Sequence, residues 1–230
     1  MTSARTYDAV SLDVGGVLVV PDHGLLAWFL ARAGVAHDRD RFAEGHYRAM
    51  AAVDHARSEP ETFDDYTHAF VRAVGVPEDR WEAGVAALTP ILVPPVWTQP
   101  LPGALAAARR LAAAGLALAV TSNADGHVAE SLARHEILQV GPGPGLDVRH
   151  VSDSGALGFA KPDPRIFLAT AEGLGLPPER VCHIGDSGQY DAAGAAAVGM
   201  VAVHVDPLGL CPDRSHDHVR DLAELADRVD

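Results

Sequence analysis

The chain has 230 residues, with 18 Lys or Arg against 31 Asp or Glu and a formal net charge of −13. At 48% hydrophobic and 21% charged it has the composition of a packed globule, and no apolar run approaches the ~20 residues of a membrane span. So acidic a chain lacks the cationic field that draws proteins to phosphate backbones, which argues against a nucleic-acid partner as well as a membrane one.

Met1–Arg5 carries no signal-peptide pattern, and a cytoplasmic location is expected. Ala9-Val10-Ser11-Leu12 is a short apolar run ending at Asp13 and Gly15-Gly16, which predicts a buried strand. Four helical segments follow, Leu25–Ala33, Asp38–Ala56, Phe63–Val74 and Asp79–Leu92, with breaks at Gly34, Pro60 and Gly75-Val76-Pro77. Gly103 to Ala114 reads as a helix, and Leu116 to Val120 as a second strand running into Thr121-Ser122-Asn123. Gly141 to Gly145 alternates Gly and Pro and is loop; Val148 to Val151 is a weak third strand. Asp163-Pro164 opens a helix to about Gly173 in the favoured cap-then-proline order. Val181–Ile184 and Met200–Val205 are predicted strands, Tyr190–Val198 a helix between them, and Ser215–Val229 a final helix.

This alternation predicts an α/β fold with a doubly wound parallel, Rossmann-like sheet. Asp13 and Ser122 stand 109 positions apart, whereas a βαβ unit takes about 30 residues or somewhat more. The surplus predicts an all-helical cap domain inserted after the first strand: residues 20–97 as a four-helix cap, with 1–19 and 98–230 as the core. Trp28, Tyr47, His55, Tyr66 and His68 are the aromatic and histidine positions available to the cap's inner face, though most of them are expected to pack between its helices.

Ligands of doubly wound sheets bind beyond the carboxyl ends of the strands. The groups expected there are Asp13, Thr121-Ser122-Asn123 and Gly185-Asp186-Ser187, with Asp191 further on and Lys161 just before a strand-proximal helix. Carboxylates gathered at one edge repel one another unless a cation joins them, and oxygen ligands of this kind suit Mg²⁺. Lys161 is the only lysine among 18 basic residues, so a compact ammonium at this position has a single source. Cys182 and Cys211 fall in no CxxC or other metal-ligand spacing, so neither a zinc nor a redox site is expected.

The segments Ser11-Leu12-Asp13-Val14-Gly15-Gly16, Val120-Thr121-Ser122-Asn123, Lys161-Pro162-Asp163-Pro164 and His183-Ile184-Gly185-Asp186-Ser187 with Asp191 resemble, in order, the four motifs of the haloacid dehalogenase-like hydrolases. The resemblance covers nearly the whole chain and implies a phosphatase-type enzyme acting on a small phosphorylated molecule with Mg²⁺. It implies Asp13 as nucleophile and Ser122, Asn123 and Lys161 on the phosphate, with Thr121 a less suitable hydroxyl. The metal would be held by Asp13, the Gly15 carbonyl and Asp186, with Asp191 supporting its water shell. Most phosphatases of the family carry a second aspartate, the general acid/base, two positions after the nucleophile; here Gly15 stands there. Two ways around the aspartate's absence are open: a substrate whose leaving group needs little protonation, such as an acyl or anomeric phosphate, or a substitute histidine near the cap entrance, with His23 ranked ahead of His46 and His55. The alternatives are a phosphate-binding regulatory protein without turnover and a metal-independent 2-haloacid dehalogenase. Against the latter, no arginine precedes Arg32 in the cap. Oligomeric state and substrate identity are not legible.

Overall fold

The computed structural model describes residues 6–56 and 63–229; Met1–Arg5 and the break at Pro60 lie outside them. Strand β1 (Ala9–Leu12) is followed by β2 (Val19–Pro21) and four helices: α1 (His23–Arg32), α2 (Phe42–His55), α3 (Phe63–Ala73) and α4 (Trp81–Leu88). Then come β3 (Trp97–Pro100), α5 (Ala104–Ala113), β4 (Ala117–Ser122), α6 (Val128–Arg134), β5 (Leu138–Val140), β6 (Leu146–Val148) and β7 (His150–Asp153). The chain ends with α7 (Ser154–Leu157), α8 (Pro164–Leu174), β8 (Val181–Gly185), α9 (Gly194–Ala197), β9 (Val201–Val205), β10 (Asp217–Val219) and α10 (Leu222–Asp227).

Six strands form one parallel sheet in the order β10-β9-β8-β1-β4-β7. From β1 the chain winds outward through β4 and β7, then returns to β8 and winds out the other way. The reversal opens a crevice at the carboxyl end of β1, where such sheets bind ligands. Alternation along β1 sends Val10 and Leu12 into a core shared with Leu111 of α5 and Leu225 of α10. Ala9 faces the opposite way, toward Ile166, Phe167 and Ala171 of α8. A separate apolar core built from Leu26, Leu30, Phe42, Phe70 and Leu88 holds α1–α4 together.

Several features differ from the sequence reading: the strand expected at Val148–Val151 straddles the end of β6 and the start of β7, and the short α7 was not expected. Val19–Pro21 and Trp97–Pro100 pair as an antiparallel ribbon at the entrance to the helices, a contact between segments far apart in sequence. A second helix, α6, follows β4, and β5 and β6 form a small parallel pair around the Gly-Pro loop. The helix predicted from Tyr190 begins as a π turn over Gly188–Ala193 before α9. The predicted final helix is two elements: Asp217–Val219 pairs with Val203–Val205 as an edge strand, and the helix starts only at Leu222. Asp221 caps it, accepting from the Glu224 amide at 2.9 Å. An Asp with Glu three residues on is a helix-start signal, so this boundary was available in the sequence.

Candidate active site

Asp13 stands immediately after β1, with its amide bonded to the Ile184 carbonyl at 2.9 Å. That bond sets Asp13 beside the end of β8, where Asp186 follows Gly185. Lys161 arrives from the loop before α8, and its Nζ lies 2.7 Å from Asp13 Oδ1 and 2.6 Å from Asp191 Oδ1. One oxygen from each of Asp13, Asp186 and Asp191 falls within 4.8 Å of the others. All four residues are buried and line a cavity of about 770 Å³ together with Gly15, His46, Ser122 and Asn123.

Burial raises the Asp13 carboxyl to about 7; Lys161 opposes that rise, while Asp191 and Asp186 add to it. Burial disfavours the Lys161 ammonium, yet Asp13 and Asp191 outweigh it and hold the group above the ordinary lysine range. For Asp191 burial is outweighed by Lys161 and by His183, and its carboxyl stays below the usual range. Three buried carboxylates thus gather at one point with a single ammonium, which pairs with Asp13 and Asp191, an arrangement that favours a further cation.

Asp191 is oriented from beneath. His183 Nε2 lies 2.9 Å from its Oδ1 and can only donate there, since a carboxylate only accepts. Burial lowers the His183 pKa, so the ring is neutral and Nδ1 accepts from Ser11 Oγ at 3.0 Å. Ser11 in turn meets Thr121 Oγ1 at 2.7 Å, and Thr121 meets Thr170 at 2.6 Å. Thr121 therefore faces the layer below the sheet, while Ser122, the next residue of β4, faces the cavity. Strand alternation alone separates the two hydroxyls.

Asn123 lines the cavity, but its amide is committed to the backbone of Lys161. It accepts from the Lys161 amide at 2.7 Å and donates to the Lys161 carbonyl at 3.1 Å. These two bonds fix the lysine's position, while Asn123 itself still lines the cavity where a phosphate was expected.

The expectation for His23 is corrected. His23 opens α1 and packs edge-on against Phe42 at 5.4 Å; it is not among the residues lining the cavity. The imidazole that reaches the site is His46 of α2. Its Nε2 donates to Asp186 Oδ2 at 2.7 Å, and its Nδ1 lies 2.9 Å from the Tyr66 hydroxyl. The i, i+4 relation to Phe42 and Met50 gave His46 a core-like signature in sequence, which hid this contact. Of the other cap positions, Tyr66 lines the cavity and Trp28 is exposed beneath Arg32.

Two glycines shape the floor. Gly16 has φ +64°, and a Cβ there would lie 2.3 Å from Asp186 Oδ2 and 2.6 Å from His46 Nε2. At Gly15 a Cβ would stand 3.1 Å from Trp97 Cζ3, so the indole occupies the space beside the missing carboxylate. Gly15→Asp is expected to cost about 1–3 kcal/mol through overpacking. A double-mutant cycle with Trp97→Ala, read by urea unfolding, should return much of that cost as coupling. Two independent, additive costs would separate the residues.

A cap-to-core clasp that the sequence did not signal closes the far side. Asp54 of α2 accepts from Ser187 Oγ and the Gly188 amide, each at 2.6 Å, and from the Gln189 amide at 3.3 Å. It ties the cap to the loop that carries Asp186 and Asp191.

Asp13, at the sheet's switch point, thus stands beside an ammonium and two further carboxylates, and α2 of the helical insertion reaches the same place through His46. The chain belongs to the haloacid dehalogenase-like hydrolase family, whose model matches residues 7–199. It is 31% identical over 135 residues to (S)-2-haloacid dehalogenase H-109 of Pseudomonas putida, covering 56% of each chain. It is 39% identical over 109 residues to the phosphoserine phosphatase of Thermus thermophilus, covering 47% of this chain and 40% of that one. The chain thus spans about half the length of the curated relatives it matches. The HAD-hydrolase YfnB of Bacillus subtilis, solved bound to magnesium, superposes with a TM-score of 0.64 at 18% identity, over 98% of this chain and 100% of that one; at that identity the likeness is one of fold. No helix among the described residues is long and apolar enough to cross a membrane.

Proposed function

We propose that the protein is a Mg²⁺-dependent phosphatase of small phosphomonoesters, with Asp13 as nucleophile. The observation that carries the reading is the surplus of negative charge: Asp13, Asp186 and Asp191 converge on one buried point against the single Lys161 ammonium. The donor set there is all hard oxygen, and it suits Mg²⁺ better than any softer metal. Asp13, Asp186 and the Gly15 carbonyl would hold the ion, and Asp191 would support its waters. When bound, the ion neutralises charge on the phosphoryl group.

Asp13 would attack phosphorus and carry the phosphoryl group as an aspartyl-phosphate until water releases it. Ser122 and Lys161 would hold the phosphoryl oxygens. Lys161 would also keep Asp13 ionised, and Asn123 would fix Lys161 through its backbone. Phosphoryl transfer depends mostly on such positioning and charge. The indole of Trp97 against Gly15 leaves no carboxylate beside the leaving oxygen. Substrates whose leaving group needs little protonation, such as acyl or anomeric phosphates, therefore fit this site best.

A phosphate-release screen with and without chelator tests the reading. Release should require Mg²⁺ and fall steeply as the leaving group becomes more basic. Gly15→Asp combined with Trp97→Ala should raise turnover of alkyl phosphates selectively, because it supplies a carboxylate and room for it. General acid/base groups typically contribute ~10²–10⁴ in rate. The dehalogenase relative keeps a second reading in play, attack of Asp13 on carbon. Arg32, the first arginine of the cap, lies exposed with its guanidinium 5.0 Å above the Trp28 ring, away from the cavity. Halide release from a 2-haloacid without Mg²⁺ would overturn the phosphatase proposal. Thermal stabilisation by phosphorylated ligands with no turnover on any of them would point instead to a binding role.

A further inference from the structure

A second cluster of metal-ligating side chains lies at the β9–β10 edge of the sheet, away from Asp13. His204 comes from β9, His218 from β10, and Cys211 and His216 from the loop between them. One donor atom from each of the four falls within 4.8 Å of the others. Asp206 shapes this loop, its carboxylate accepting from the Leu210 and Cys211 amides at 2.9 Å each.

The hydrogen bonds around the cluster set where lone pairs point. His204 Nε2 lies 3.1 Å from the Asp186 carbonyl oxygen, which can only accept, so Nε2 carries the proton. His204 Nδ1 therefore turns a lone pair toward His216 Nε2, 3.2 Å away. On its other side His216 Nδ1 faces the Asp213 carboxylate at 3.7 Å. Cys211 Sγ lies 3.8 Å from His216 Nε2, and the buried Nε2 of His218 meets no hydrogen-bond partner. A proton shared between His204 and His216 satisfies those two nitrogens and still leaves His218 Nε2 with nothing. An ion bound by all four serves every donor.

The spacing agrees with this. A tetrahedral ion with Zn–N of about 2.0–2.1 Å and Zn–S of about 2.3 Å sets its ligand atoms roughly 3.3–3.6 Å apart. The separations of 3.2 and 3.8 Å bracket that range. Metal-bound histidines also usually give their second N–H to a carbonyl or carboxylate, as His204 does to Asp186. A cavity of about 590 Å³, lined by His204, Cys211 and His216, gives an ion a way in.

We propose that His204, Cys211, His216 and His218 form a site for Zn²⁺ or a like borderline-soft divalent ion, distinct from the oxygen-ligand site at Asp13. Three imidazoles and a thiol disfavour Mg²⁺ and Ca²⁺. Binding displaces the Cys211 thiol proton to solvent and leaves a thiolate on the metal. The ion pins the 206–216 loop to β9 and β10. Through His204 it also steadies the strand end that carries Asp186.

Co²⁺ added to the metal-depleted full chain tests this by absorbance. One equivalent should produce tetrahedral d–d bands with a thiolate-to-metal charge-transfer band. Equimolar Zn²⁺ should bleach both and excess Mg²⁺ neither. Free Zn²⁺ at a hundredfold excess over Kd should raise the thermal midpoint by roughly 5–10 °C. Cys211→Ser should remove the charge-transfer band, His216→Ala should weaken binding at least ~100-fold, and Asp13→Asn should bind as the parent does. Circular dichroism of the metal-free variants separates lost ligands from lost fold, and the parent spectrum is decisive alone. A parent that binds no stoichiometric Co²⁺, or binds it without a thiolate band, overturns the proposal. So does binding that survives Cys211→Ser and His216→Ala but fails in Asp13→Asn.

Discussion

Asp13→Asn should abolish turnover, by at least ~10⁴-fold, while leaving the protein folded. The amide keeps the shape of the carboxylate but cannot attack phosphorus. The same substitution has an opposite effect on stability. In the absence of metal, burial raises the Asp13 carboxyl to about 7, against about 3.9 in an unfolded chain. The folded state therefore holds that proton more tightly than the unfolded state does. Between pH about 4 and 7 the parent loses stability as pH rises, relative to Asp13→Asn; above about 7 both states are ionised and the difference stays constant. Urea unfolding of the two proteins across this range, with chelator present, measures the gap directly. Saturating Mg²⁺ should close it, because the ion compensates the ionised carboxylate. A gap that is flat from pH 4 upward would show that burial does not hold the Asp13 proton in the folded state.

Lys161→Met should be the most destabilising single change at the site. Its ammonium is shared by Asp13 and Asp191, and all three residues are buried. Removing one partner from a buried ion pair commonly costs 3–5 kcal/mol, because the remaining charge is stranded. That deficit should be largest above neutral pH and shrink as acid protonates the stranded carboxylates. Denaturant unfolding at pH 5 and pH 8 reads both the size and the sign. Whatever protein folds should lose a further ~10²–10³ in turnover, since the group would also stabilise charge on the phosphoryl oxygens. Lys161→Arg should rescue neither property: the planar fork cannot place one compact charge within 2.7 Å of both carboxylates. Full activity in Lys161→Arg would place the lysine outside the charge balance proposed for the site.

Local patterns made much of this legible. The apolar runs of β1, β4, β8 and β9 are buried on both faces, so they stand out without any knowledge of their partners. Asp13, Ser122 and Asp186 were readable because they stand at or just after strand ends, a local property; Lys161, ahead of α8, and Asp191, in the π turn after β8, were placed with them through the motif resemblance. The elements that escaped were those whose stability is nonlocal. The β2–β3 ribbon joins residues on opposite sides of the helical insertion, and three-residue β10 exists only because β9 lies beside it. His46 was named only behind His23, and its contact with Asp186 escaped for the same reason. On α2 it looks like one more core position, and only the packing of that helix over β8 carries its ring to Asp186.

The order of residues alone determined a doubly wound sheet, a run of helices after its first strand, and polar side chains at the ends of β1, β4 and β8. These follow from periodicity, turn residues and the sharp limits on which side chains can carry charge. The tertiary structure decided which hydroxyl faces the cavity, which histidine enters it, and that an indole fills the space beside Gly15. It also gathered His204, Cys211, His216 and His218 at one edge, although no spacing along the chain foretells their meeting. Side chains far apart in sequence touch only through strand pairing and helix packing, and those contacts become fixed when the whole chain buries its apolar surface together.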